Sequence, residues 1–208
     1  MSVDKEELGF SLYHGTSSLF LDSIYESGLG GENISEKYQI NEMFSQIVDA
    51  FNNHYMDAEW WVCEGFLCEK MVRGDVTNGD FNFRYGGVYL TPSFETAKNY
   101  AISNKYGSEL VSYCIRAYEE LFKRNPILAN KIFPSNHPLR ELAVLMGTPV
   151  VLEIVDITKD GLVTEQGAPI KEQLQLMSQL PEEIWQQFNF ESTKTIAFEY
   201  IKVISLNS

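Results

Sequence analysis

Four places in this chain carry groups suited to binding and bond-breaking chemistry: Tyr13-His14-Gly15-Thr16, Tyr89, Tyr100 and Glu199. The first lies at the end of a predicted strand over 10–14, where a glycine leaves a backbone amide open to close approach. Tyr89 falls inside a predicted strand over 87–91, and Tyr100 follows eleven residues later on the next helix. Glu199 falls in a predicted strand over 195–206, with Ala197 and Ile201 on its own face and Phe198 and Tyr200 on the other. A carboxylate in an apolar strand is costly unless it has a partner or a task. Taken singly, each has a plain structural reading: a core histidine, two packing tyrosines and a sheet-edge glutamate.

Other chemistry-bearing patterns are absent from the sequence. There is no GxGxxG, Walker loop, HExxH or GxSxG elbow. Gly28-Leu29-Gly30-Gly31 follows a predicted helix and so reads as a C-cap and turn. Cys63 and Cys68 are separated by four residues with no second pair, which makes a zinc site a poor reading. His54 and His137 read as surface or helix-end residues, and Trp60 and Trp61 as core or interface.

The elements that must position the candidates alternate irregularly. After the first strand a helix is expected, capped by Ser17 or Ser18 and stopped at Ser27-Gly28. Helical spacing returns at 41–56, and the Gly-, Asn- and Asp-rich stretch 74–87 reads as a loop. Pro92-Ser93 caps a helix running to about Asn104, and another is expected over 108–123. Residues 149–157 form the clearest strand, and a helical pattern covers 169–188. Strands and helices without regular βαβ alternation predict an α+β domain.

Length and composition set the frame. At 208 residues the chain is expected to form one domain, without a disulfide or metal staple. Its three cysteines (Cys63, Cys68 and Cys114) point to a reducing compartment. No stretch approaches the roughly 18–20 apolar residues of a membrane span, and the acidic N-terminal residues predict no cleaved signal peptide. A cytoplasmic location is expected, or delivery into a host cytosol without a classical signal. The net charge of −13 argues against broad nucleic-acid binding. Residues 98–140 are locally basic, with Lys98, Lys105, Arg116, Lys123, Arg124, Lys131 and Arg140 against Glu109, Glu119 and Glu120. That segment reads first as a solvated helical face.

The order of the motifs adds a resemblance. Tyr13-His14-Gly15-Thr16, then Gly86-Gly87-Val88-Tyr89-Leu90 with Tyr100 eleven residues on, then Glu199-Tyr200-Ile201 resembles the His-Tyr-Glu class of ADP-ribosyltransferases. The opening YHGTSSLFLDSIYESGL is especially similar to the start of the diphtheria-toxin-like members. The resemblance implies an ADP-ribosyltransferase-like split β-sandwich with flanking helices, spanning 1–208 and carrying an insertion at about 31–85. It implies NAD as co-substrate, with no metal, and transfer of ADP-ribose to a macromolecular acceptor. Glu199, His14 and Tyr89 would be catalytic. His14, Gly15, Thr16, Tyr89 and Tyr100 would bind NAD: the Gly15 backbone the carboxamide, His14 a ribose hydroxyl, and the two tyrosines the nicotinamide ring. One departure is Ala97, where polymerase-type members carry a carboxamide-binding serine.

A small stand-alone domain of this class would act as a toxin or effector on a host molecule, with a protein acceptor favoured, nucleic acid kept as the alternative, and an antitoxin or inhibitor as a further partner. A second enzyme reading is an NAD-using RNA 2′-phosphotransferase, whose basic phosphate-binding residues have no counterpart here. A third is a non-catalytic NAD-fold interaction protein.

Overall fold

The computed structural model describes residues 6–74 and 85–206. In chain order it contains β1 (Leu12–Ser17), α1 (Leu21–Ser27), α2 (Ile34–Lys37), α3 (Ile40–His54) and α4 (Glu59–Arg73). Then come β2 (Val88–Leu90), α5 (Phe94–Ser103), α6 (Glu109–Arg124), α7 (Pro126–Ile132) and α8 (Pro138–Val144). The chain continues through β3 (Pro149–Ile154), β4 (Leu162–Thr164), α9 (Lys171–Met177), β5 (Phe190–Ser192) and β6 (Ile201–Ser205). Helices and two small antiparallel sheets make this a mixed chain compatible with the expected α+β class. Among the described residues no helix is long and apolar enough to cross a membrane.

The backbone groups into two compact units where the sequence suggests one domain. One is made by residues up to 32, 87–107 and from 147 onward; it holds the six strands found among the described residues. The other joins 33–86 to 108–146, and the elements among its described residues are all helices. Of the stretch 31–85, read as an insertion, residues 33–74 share their unit with a second chain segment, 108–146. Most of the expected 74–87 loop lies outside the described residues.

In the helical unit, α3 and α6 each carry an apolar stripe at helical spacing. Phe44, Ile47, Val48 and Phe51 are buried on α3, and Leu110, Val111, Cys114, Ile115 and Leu121 on α6. Such stripes hold helices in place far more than intrinsic propensity does. Trp61 on α4 stacks flat on Phe51, with ring centroids 4.7 Å apart, and its Nε1–H donates to Asn52 Oδ1 at 3.2 Å. The three thiols are free. Cys63 is exposed, while burial pushes the Cys68 thiol up to about 12 and raises that of Cys114 as well.

In the α/β unit, one sheet has the order β1-β3-β6 and the other β2-β5-β4. The first strand runs over 12–17 instead of 10–14, in unbroken register with β3 from Leu12↔Ile154 to Ser17↔Pro149. The sheets meet through one antiparallel bridge, in which Tyr13 and Thr91 exchange both backbone bonds, at 2.7 and 3.0 Å. Ser93 caps α5 by accepting from the Thr96 N–H, as Pro92-Ser93 suggests.

Two expected elements are shorter than the sequence implies. The helix expected over 169–188 ends at Met177, and Pro181 leads into a 3₁₀ segment over Glu182–Gln187. The indole N–H of Trp185 in that segment donates to the carbonyls of Met177 and Leu180. The strand expected over 195–206 forms only as β6. Ile196 instead exchanges two backbone bonds with Leu29, and the chain then turns through a 3₁₀ segment over Phe198–Tyr200.

Candidate functional site

All the residues singled out by the sequence belong to the α/β unit, which gives them a common frame. His14 is half-buried on β1, and its Nδ1 lies 2.9 Å from the Tyr89 carbonyl oxygen. A carbonyl only accepts, so Nδ1 carries the proton and Nε2 is left as an acceptor in the neutral ring. This bond ties the histidine of one sheet to the tyrosine strand of the other.

Gly15 has two distinct faces. Toward α5, a Cβ built on it would stand 2.1 Å from the Ala97 carbonyl oxygen and 3.0 Å from the Ala101 amide nitrogen. Only a residue without a side chain lets the helix lie this close to the strand. The second face follows from the alternation of an antiparallel ladder. Tyr13 directs its N–H and C=O to Thr91, and Ser18 donates to Thr148 just before β3. With no bulge between them, Leu12, His14 and Thr16 bond toward β3, and Gly15 points its N–H and C=O to the other edge. No bond joins those two groups to another described residue on that edge. They form a donor–acceptor pair suited to a planar amide.

Tyr100 sits on α5 beside the residues that cover Gly15 and is 40% exposed. Thr16 is buried, and its hydroxyl lies where a side chain on Gly107 would intrude. Ala97, the position of the departure noted above, is buried against Gly15 through its backbone.

Glu199 is placed differently from the sequence expectation. It is exposed in the 3₁₀ turn before β6, outside any strand, so its charge is hydrated and the desolvation argument for a special role falls away. The strand that follows is the outer strand of its sheet, separated from β1 by β3.

One residue passed over in the sequence enters the site. Glu191 on β5 stands directly opposite Tyr89 on β2, and Gly87 lies beside both. A Cβ on Gly87 would come within 2.7 Å of Glu191 Oε1 and 3.3 Å of Tyr89 Cζ. The sequence signal was weak because Phe190-Glu191-Ser192 is too short to show a two-residue period.

A cavity of about 500 Å³ opens beside the β1–β2 bridge, lined in part by Phe10, Tyr13, Pro92, Glu95, Glu182 and Trp185. Of the residues singled out in the sequence Tyr13 lines it, while His14, Gly15, Thr16, Tyr89, Tyr100 and Glu199 do not. Among the described residues no group of three or more His, Cys, Asp or Glu is placed to hold a metal ion. Comparison with known protein families, characterised proteins and solved structures yields no match to this chain.

Loss of hydration holds the His14 pKa below the usual imidazole value, against the opposing effect of its bond to Tyr89. An imidazole whose pKa is lowered by folding stabilises the protein fully above the unfolded value of about 6.5. That contribution is lost as the pH falls, because the unfolded chain takes up the proton first. The melting temperature is therefore expected to drop between pH 7 and 5, and to drop less in His14→Gln. Equal slopes in thermal melts of the two proteins would contradict a neutral, desolvated His14.

Proposed function

We propose that this chain is an NAD-dependent mono-ADP-ribosyltransferase whose α/β unit is a split β-sandwich of that enzyme class. The observation that carries the reading is the conjunction around Gly15. Its N–H and C=O point to the edge away from β3, α5 with Tyr100 crosses it, and His14 is bonded to the Tyr89 backbone. Sequence motifs with the order of this enzyme class thus meet in one unit, around an edge suited to an amide.

The roles follow from the chemistry of NAD. The nicotinamide carboxamide is a planar donor–acceptor group that matches the N–H and C=O of Gly15. The pyridinium ring is cationic and flat, which favours the faces of Tyr89 and Tyr100. Nε2 of His14 accepts from a ribose hydroxyl, and Thr16, being buried, supports β1 instead of touching the ligand. Cleavage of the nicotinamide–ribose bond develops oxocarbenium character, as in glycoside hydrolysis, so a carboxylate must stand near that ribose.

A protein acceptor suits the net charge of −13 better than a polyanion does. Several cations of the basic segment 98–140 also have carboxylate partners: Lys98 with Glu95, Lys123 with Glu120, and Arg116 with Glu64. That pairing supports a solvated face over a nucleic-acid surface, and a toxin or effector role fits a single macromolecular target. The test is a mass-spectrometric search for added ADP-ribose on proteins and RNA after expression of the full chain. Adducts on one or a few proteins are expected. Adducts confined to RNA would replace the protein acceptor with a nucleic-acid one, and none on either would contradict the transfer reading.

A further inference from the structure

We infer that the cavity beside the β1–β2 bridge is a docking pocket for an arginine side chain of a partner protein. The inference goes beyond the NAD reading and does not depend on it, because no residue given a part in binding NAD lines the cavity. On that reading the partner is the protein acceptor. The cavity volume of about 500 Å³ falls within the roughly 300–1,000 Å³ of pockets that enclose small ligands. It therefore takes a long side chain together with part of the backbone that carries it.

Two sets of groups line it. The first is aromatic: Phe10, Tyr13 and Trp185. Phe10 packs against the fully buried Phe190, with ring centroids 6.5 Å apart, and against Trp185 at 5.1 Å, which anchors both rings to the core. Tyr13 meets Phe94 edge to face at 5.7 Å. The Trp185 indole N–H is already taken by the carbonyls of Met177 and Leu180. What Trp185 offers a ligand is thus its π-surface, held in a fixed orientation.

The second set is acidic: Glu95, Glu182 and Glu183, with no lysine or arginine among the described residues that line the cavity. Glu182 and Trp185 lie three apart on the 3₁₀ segment Glu182–Gln187, and three residues per turn put the carboxylate and the ring on one side. Among the described residues Glu182 and Glu183 have no cationic or hydrogen-bonding partner. Glu95 pairs with Lys98 at 3.1 Å, an exposed contact of the weak kind. A cation is the ligand these groups favour, and the same charge repels nucleic acid and the phosphates of NAD. Aromatic faces beside carboxylates suit a guanidinium best, since it is planar, weakly hydrated, stacks on rings and donates in pairs to a carboxylate. A lysine ammonium holds its water more tightly and has no flat face to stack.

The experiment titrates the isotope-labelled full chain with the end-blocked peptide Gly-Gly-Arg-Gly-Gly, following the Trp185 indole and Tyr13 amide signals by NMR. Saturable shifts are expected, with a dissociation constant of about 1 mM or tighter. The same peptide with citrulline, which keeps the shape and loses the charge, should bind at least about tenfold more weakly, and the lysine peptide at least about threefold. Glu182→Gln combined with Glu183→Gln, and separately Trp185→Leu, should each weaken the arginine peptide by about tenfold or more. Both glutamates are exposed, so the carboxylate variant keeps the wild-type melting temperature and serves if Trp185→Leu does not fold. Glu26→Gln, exposed on α1 and outside the lining, should stay within about twofold. No saturable shift up to about 20 mM peptide, equal binding of the arginine and citrulline peptides, or undiminished binding by the carboxylate variant overturns the inference. Displacement of the peptide by NAD overturns it too, by making the cavity part of a dinucleotide site. Peptide binding by a protein that neither binds nor cleaves NAD supports the pocket and overturns the proposed function alone.

Discussion

Replacing Gly15 by alanine is expected to lower the melting temperature by about 6–12 °C and to weaken NAD binding in the protein that still folds. The added methyl would stand 2.1 Å from the Ala97 carbonyl oxygen, which belongs to the α5 backbone and cannot rotate away. Either α5 lifts from β1 or the strand shifts. Overpacking of this kind costs about 3 kcal/mol, and in a chain of this size each kcal/mol moves the midpoint by about 2–4 °C. Because α5 carries Tyr100, lifting the helix also opens the ring-binding face. Gly161→Ala is the matched control: its added methyl meets nothing nearer than Lys194 Cδ at 4.0 Å. Its melting point should stay within about 2 °C of wild type. Equal melting of the two variants in calorimetric scans would mean that α5 does not need the bare strand at Gly15.

The second large effect is expected at Tyr89. Removing the ring in Tyr89→Ala should weaken NAD binding by about 10–30-fold, while Tyr89→Phe should stay within about threefold. Stacking on a cationic ring in a shielded site is worth up to about 2 kcal/mol, which corresponds to that factor. Phenylalanine keeps the face that stacks. The bond from His14 goes to the backbone carbonyl of Tyr89, which neither change removes. Calorimetric titration with NAD reads both variants, and equal loss in Phe and Ala would assign Tyr89 a role through its hydroxyl instead.

The legible parts of the fold were those with repeated apolar spacing or caps. The stripes of α3 and α6 and the Ser93 cap of α5 declare themselves over several turns, and the elements formed within a few residues of expectation. Helix α4 is harder to read. Trp61, Cys68 and Met71 are buried on it, but Val62 and Phe66 are exposed, so apolar residues surround the helix and no single stripe stands out. Short α7 and α8 begin on Pro126 and Pro138 after the caps Asn125 and His137, a signal present in the sequence but easily taken for a turn.

The site was half legible for a related reason. His14, Gly15 and Tyr89 lie in strands whose neighbours identify them, whereas Glu199 lies in a 3₁₀ turn that the sequence presents as a strand. Alternation through Ala197, Glu199 and Ile201 imitates a strand. The backbone bonds of Ile196 to Leu29 and the 3₁₀ turn that follows are long-range features with no local signature. Cross-strand pairing brings Glu191 to Tyr89 from 102 positions away in the chain, and only the fold reveals it.

The central claim is that this chain cleaves NAD at the nicotinamide–ribose bond. The most direct measurement is release of nicotinamide from labelled NAD by the purified full-length protein, followed over a range of NAD concentrations. Saturable release well above the rate in buffer is the predicted result. Release no faster than in buffer, from a protein that melts cooperatively and shows no NAD binding at millimolar concentration, would contradict it.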